Sequence, residues 1–305
     1  MKILITGGAG YTGVPLAARL LERGHTVTIV DNFLYGYDSI LHLVAHPGLV
    51  VVKTDIRNED RSWLKGQDVI YHLAAISGYP ACEANPNSAR LINVDATRAV
   101  AEALDPEQFL VYASTTSFYG SKGERASEDM AVRPVSLYGA TKWEAERIVM
   151  DRENSIALRW ATVFGVGPRM RAGLLVNDFC EKAVTERAIV LYDADSTRTF
   201  MHVSDLVNGY LFALDRLEAM RGDVFNMGSE RLNYTKRQIA EHICARQPCD
   251  LIDASFGDAD VRDFLVSFNK AAALGFDCTV SLEDGVTKLL KLYRFYAPHS
   301  FIRPI

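Results

Sequence analysis

A chain of 305 residues, 49% apolar and 23% charged, has the make-up of a globular protein with one large core or two smaller ones. Its net charge of −5 and the lack of any basic run argue against a broad nucleic-acid surface, and no apolar stretch is long enough to span a bilayer. Cys82, Cys180, Cys244, Cys249 and Cys278 are odd in number, scattered and without metal-ligand spacing, so they read as reduced cytoplasmic thiols with no disulfide framework and no metal site.

The first half alternates strand and helix signals. Strands are expected at Lys2–Thr6, Thr26–Asp31, Leu49–Lys53, 68–72, 108–114 and Ser155–Trp160, with helical spacing over 14–23, 89–104 and 138–151. Only Lys2 precedes the first apolar run, and Gly7 and Gly8 interrupt it, which is not the layout of a secretory leader. Several strands are continuous apolar runs, as in a parallel sheet covered on both faces. The pattern predicts a Rossmann-like, doubly wound α/β fold over residues 1–160, with later segments returning to it. After Trp160 the rhythm loosens into a Gly/Pro/Arg-rich loop, "FGVGPRMRAG", and helices near 174–185, 203–217, 234–246 and 282–295. Residues 161–305 read as mainly a smaller mixed α/β substrate-binding lobe, packed against the first across a cleft.

"TGGAGYTG" carries Gly7-x-x-Gly10-x-x-Gly13 directly between a strand and a helix. Glycines there allow a tight turn and close backbone approach, and the helix N-terminus receives a pyrophosphate. Asp31 ends the second strand, near the offset of about 20 residues at which a carboxylate meets an adenosine ribose. No Arg follows it immediately in "DNFLYG", which favours NAD over NADP. Asp55 ends the third strand, where it either meets the adenine or caps a helix.

In "SLYGATK", Tyr138 stands four residues before Lys142, one turn away on the same helix face. A tyrosine with a pKa of about 10 is a poor base at neutral pH, and a neighbouring ammonium lowers that value. Upstream, "YASTTSFYG" ends a strand in four hydroxyl residues, 114–117, at the edge where such sheets bind ligands.

Together "TGGAGYTG", "HLAA", the hydroxyl-rich strand end before "FYG", and "YGATK" resemble the extended short-chain dehydrogenase/reductases, and within them the nucleotide-sugar epimerase and dehydratase family. The resemblance covers nearly the whole chain in order. It implies Tyr138 as general base, Lys142 as its tuner and ribose ligand, and Thr115 holding the sugar hydroxyl. It also implies cofactor contacts from Gly7, Gly10, Tyr11, Thr12, Gly13, Asp31, Asn32, Asp55, Ile56, Leu73, Ala74 and Ala75. The implied reaction is oxidation of a nucleotide-sugar, usually at C4, with bound NAD as hydride acceptor.

Dehydratases of this kind typically carry Asp-Glu after the Thr, whereas Thr116 and Ser117 stand here, which argues against elimination of water. A C4 epimerase, a net 4-dehydrogenase and a ketoreductase remain open, as does a non-catalytic NAD-binding regulator. "RMRAGLLVNDF", "NMGS", "NYTKRQIA" and "VRDFLVS" lean towards GDP-heptose 4-dehydrogenases of bacterial capsule pathways, which implies a possible 2-oxo acid co-oxidant. By the same resemblance Arg198, Arg262 and Asn177 contact the diphosphate or sugar. Ser77, Gly78, Tyr79, Thr115 and Thr116 line the sugar pocket, with Arg169 and Arg171 as further candidates. The family's Asn-Val-Tyr-Gly segment appears as Thr162-Val163-Phe164-Gly165, so any contact expected of that Asn is in question. A homodimer through helices 89–104 and 138–151 is expected from the resemblance.

Overall fold

The computed structural model describes residues 1–120, 125–255 and 263–297. In chain order the first part runs β1 (Lys2–Thr6), α1 (Gly13–Glu22), β2 (Thr26–Asp31), β3 (Leu49–Lys53), β4 (Val69–His72), α2 (Tyr79–Ala84), α3 (Pro86–Arg90), α4 (Ala96–Glu102), β5 (Phe109–Thr115), β6 (Arg125–Ala126), α5 (Leu137–Met150) and β7 (Ser155–Trp160). The remainder runs β8 (Thr162–Phe164), α6 (Leu175–Thr185), β9 (Ala188–Leu191), β10 (Thr197–His202), α7 (Val203–Leu214), α8 (Leu217–Met220), β11 (Asp223–Met227), β12 (Asn233–Thr235), α9 (Lys236–Cys244), β13 (Asp250–Asp253), β14 (Leu265–Val266), α10 (Asn269–Ala273) and α11 (Leu282–Tyr293).

Seven parallel strands form one sheet in the order β11-β7-β5-β4-β1-β2-β3. Strand order reverses between β1 and β4, which makes the carboxyl edge there the crevice of a doubly wound sheet. The apolar runs of β1, β4 and β7 are buried almost throughout because helices cover both faces, whereas β3 lies at the edge and is half-exposed. α1 buries Val14, Leu16, Ala17, Leu20 and Leu21 along one face, as its spacing predicts. β11 adds to the sheet beside β7, so the chain returns to this layer after visiting the second lobe.

The second lobe has its own apolar cluster, in which Phe164, Phe179, Ile189, Phe200, Ile239 and Leu289 pack together. Its strands β8, β10 and β12 form a small mixed sheet, and β9 pairs with β13.

Two expectations are corrected. The helix expected over 89–104 is α3 and α4 joined by a π-helical turn, Leu91–Asp95. Cys244 and Cys249 form a disulfide, not two free thiols, because the turn after α9 brings their Cα atoms to 5.3 Å. Cys82, Cys180 and Cys278 are free and buried.

Candidate active site

The chain leaves β1 into a turn that only glycine fits. Gly7 has φ +67°, and a Cβ there would lie 2.9 Å from the backbone of Ala74; at Gly13 it would lie 2.6 Å from the Gly7 carbonyl. This is the close cradle a dinucleotide pyrophosphate requires. Thr12 is the N-cap of α1 and its hydroxyl makes no cap bond; Val14 donates to the Gly10 carbonyl (3.2 Å) and Pro15 has no N–H, so in the first turn it is the Gly13 N–H that suits an outside anion. Tyr11 is buried and donates to the Gly165 carbonyl (2.7 Å), tying this turn to the second lobe.

Asp31 ends β2, next to β1, and accepts from the N–H groups of Ala9 (3.0 Å) and Phe33 (2.8 Å). Partial burial lifts its pKa above the usual carboxylate value, and those two donors and Arg169 oppose the rise. Asn32 donates to Asp55 (3.2 Å), whose carboxylate is gripped by Arg57 (2.8 and 2.9 Å) and held well below its ordinary pKa. No helix starts at Asp55, and Ile56 beside it is buried.

On the far side of the switch point, Thr6 accepts from the N–H groups of Leu73 and Ala74 (3.2 Å each) and bonds Nδ1 of buried His72 (2.8 Å). His72 Nε2 reaches Thr97 (3.0 Å), whose hydroxyl is donated to the Asn93 carbonyl (2.8 Å). Thr97 therefore accepts at His72, which places the imidazole proton on Nε2 and makes Nδ1 the acceptor for Thr6. Burial pulls this histidine down to about 3, so it stays neutral and serves as a fixed strut under the 73–75 loop.

Tyr138 and Lys142 rise from the first turns of α5. Ser136 caps that helix by accepting from the Gly139 N–H (3.1 Å). Tyr138 is half-buried, whereas Lys142 is fully buried, its ammonium 4.1 Å from the centre of the Tyr112 ring. Burial lowers the Lys142 pKa to about 7, against the opposing pull of Glu146. Glu146 lies one turn further along and is bound by Arg159 (2.6 Å) and by the Ser114 hydroxyl (2.5 Å), all three deeply buried. Arg159 continues to Tyr119 (2.7 Å), which donates to Asn226 (2.7 Å). This network pins the end of β5 against α5. Thr115 accepts from the Ser117 N–H (3.1 Å) and donates to the Ser117 hydroxyl (3.0 Å), and Thr116 donates to the Trp160 carbonyl (3.1 Å). The strand end thus presents hydroxyls and no carboxylate.

The π-helical turn has a local use. It carries Asn93, which accepts from the Ile76 N–H (2.8 Å) and donates to the Ile76 carbonyl (3.0 Å) and the Thr141 hydroxyl (3.1 Å). One buried amide so fastens the 73–79 loop to α5. Nothing in "RLINVDA" distinguishes this Asn from a solvent-facing one, and the roles of Tyr112, Glu146 and Arg159 are equally hidden in the sequence.

Ser77, Gly78 and Tyr79 lie half-buried at the start of α2, and Arg171 donates to the Ser77 hydroxyl (3.2 Å) and carbonyl (2.8 Å). Asn177 is buried with its amide on backbone, accepting from Gly165 (2.9 Å) and donating to the Arg171 carbonyl (3.0 Å), so it braces the interlobe loop. Arg198 lies on β10 opposite Tyr234 and is largely buried. Arg262 lies outside the described residues. A separate groove lined by Met1, Asp68, Gln108 and Asp215 opens at the opposite, amino edge of the sheet, away from all of these groups. Among the described residues no cluster of His, Cys, Asp or Glu has metal-binding geometry, and no helix is long and apolar enough to cross a membrane.

Comparison with known proteins agrees with this geometry. Residues 3–228 match the model of the NAD dependent epimerase/dehydratase family. An uncharacterized UDP-glucose epimerase of Bacillus subtilis is 29% identical over 94% of this chain and 96% of its own length. A UDP-N-acetyl-alpha-D-glucosaminuronate decarboxylase of Bacillus cytotoxicus is 30% identical over 97% and 92%. Among solved structures, UDP-glucuronic acid 4-epimerase from Bacillus cereus, in complex with UDP-glucuronic acid and NAD, superposes with a TM-score of 0.84 at 26% identity, covering 96% of this chain and 99% of that one.

Proposed function

The chain belongs to the NAD dependent epimerase/dehydratase family, and on that premise we propose that it is a 4-epimerase of a UDP-linked hexose or hexuronate. The observation that carries this reading is the end of β5, where Ser114, Thr115, Thr116 and Ser117 supply only hydroxyls and Ser114 ties the strand to the Tyr138–Lys142 helix through Glu146. Elimination of water needs a carbon acid's proton removed by a positioned base, and the carboxylate bonded to this strand end, Glu146, is taken up by Arg159 and Ser114. Oxidation and re-reduction at C4 need only one group that takes and returns a hydroxyl proton. Tyr138 is that group, Lys142 supplies the charge that favours the phenolate, and Thr115 orients the substrate hydroxyl.

Bound NAD supplies the hydride acceptor, and the glycine turn, Asp31 and Lys142 would hold it. Because epimerisation regenerates the oxidised cofactor, turnover should need no 2-oxo acid. The lean towards GDP-heptose finds no support among these relatives, whose names specify UDP-sugars. A second reading, decarboxylation of a UDP-hexuronate, is favoured by the 30% identity to the Bacillus cytotoxicus decarboxylase. We further propose a homodimer through the helical face made by α3, α4 and α5.

The test is product mass by liquid chromatography and mass spectrometry after incubation with UDP-glucuronic acid, UDP-glucose and GDP-sugars. Unchanged mass with shifted retention, without added oxidant, supports the epimerase. A product lighter by carbon dioxide moves the assignment to the decarboxylase, and one lighter by two hydrogens to a net dehydrogenase. Tyr138→Phe should abolish whichever product appears.

A further inference from the structure

Residues 165–171 connect the second lobe back to the first at three points. The Gly165 carbonyl accepts from Tyr11 in the glycine turn after β1 (2.7 Å). The Arg169 guanidinium stacks on the Tyr35 ring in the loop after β2, 3.9 Å from its centre. Arg171 binds Ser77 in the loop after β4 (2.8 Å to its carbonyl). These are the loops that leave the carboxyl edge around the switch point, so the segment runs across the mouth of the dinucleotide crevice.

Arg169 stands out among the three contacts. It is half-buried, it rests on an aromatic face, and among the described residues it makes no ion pair. The nearby carboxylate, Asp31, is engaged by the backbone N–H groups of Ala9 and Phe33, and Arg169 acts on it only through its field. A planar guanidinium with five donors, stacked in place and partly desolvated, is a built receptor for phosphate oxygens. Tyr35 itself is half-exposed and follows Asp31 by four positions, and Arg169 lies close enough to Asp31 to act on it, so the pair stands beside the end of β2 where an adenosine ribose would sit.

We infer that Arg169 and Tyr35 form a clasp over the adenosine ribose and diphosphate of the cofactor, by which the second lobe slows release of NAD between turnovers. Rigid closure of the crevice from a separate lobe acts on dissociation more than on association. The inference rests on NAD as the cofactor and not on which sugar is turned over.

The same guanidinium chemistry suits the diphosphate of the nucleotide sugar, so the test has two arms. Protein loaded with NADH is mixed with excess NAD and the fall in NADH fluorescence is followed by stopped flow, with no sugar present. Arg169→Ala and Tyr35→Ala should each release NADH at least about tenfold faster, equivalent to about 1.4 kcal/mol. The double variant should be no faster than Arg169→Ala, since either change opens the clasp. UDP affinity by calorimetry should be unchanged. Unaltered NADH release in Arg169→Ala, or a loss of UDP affinity in its place, overturns the assignment. Arg169→Gln, which keeps most of the side chain, should show the same faster release if the alanine variant fails to fold.

Discussion

Lys142→Met removes a buried charge and leaves a side chain of similar reach. In the folded protein the Lys142 pKa is about 7 against the usual 10.5, because burial disfavours the ammonium. A base depressed in this way holds fewer protons folded than unfolded between those two values, so stability rises as pH climbs through that window. Below about 7 the cost of burying the charge is fully present, and above 10.5 it is gone. At about 1.4 kcal/mol per pH unit the cost is about 5 kcal/mol at pH 6 and about 2 kcal/mol at pH 9. Loss of the ammonium's contact with the Tyr112 ring takes back about 1 kcal/mol at pH 6, and nothing at pH 9, where the folded amine is neutral. Urea unfolding of the cofactor-free protein should therefore show the variant more stable than its parent by about 4 kcal/mol at pH 6 and by about 2 kcal/mol at pH 9. Turnover should fall to background at both. A variant no more stable than the parent at pH 6, or a gain that does not shrink by pH 9, refutes the reasoning. The expected opposition of stability and activity is typical of a site built around a costly group.

Arg159→Met leaves Glu146 buried without its partner and should cost about 3–5 kcal/mol in urea unfolding. The double change Arg159→Met with Glu146→Leu should recover most of that loss, and a small penalty for the single change would show that the pair is hydrated. Alkylation of the denatured, unreduced protein should label the three free cysteines and, after reduction, all five; labelling of all five without reductant would mean that Cys244 and Cys249 are not bonded.

Much of the fold was readable because its determinants are local. Strands β1, β2, β3 and β7 fall on the ranges that their apolar runs predict, and α1 and α5 within a residue or two of theirs. Periodicity misses the π-helical turn at Leu91–Asp95 because one extra residue per turn scarcely alters a short apolar pattern. It also misses the disulfide, since a six-residue stretch closes only when the following strand, β13, docks on β9.

By itself the sequence determines the glycine turn, the spacing that puts Tyr138 and Lys142 on one helix face, and the hydroxyl-only end of β5. Each of these is a relation between neighbours along the chain. Tertiary structure alone decides how those groups behave. The burial that lowers Lys142 comes from Tyr112 and the packing of α5 on the sheet, and Asn93 locks the pocket loop across 48 residues to Thr141. Tyr11 meets Gly165 across 154 residues, and Arg169 meets Tyr35 only because the second lobe folds back over the first. Such contacts leave no periodic trace, because they depend on where the sheet places distant loops and not on the residues beside them.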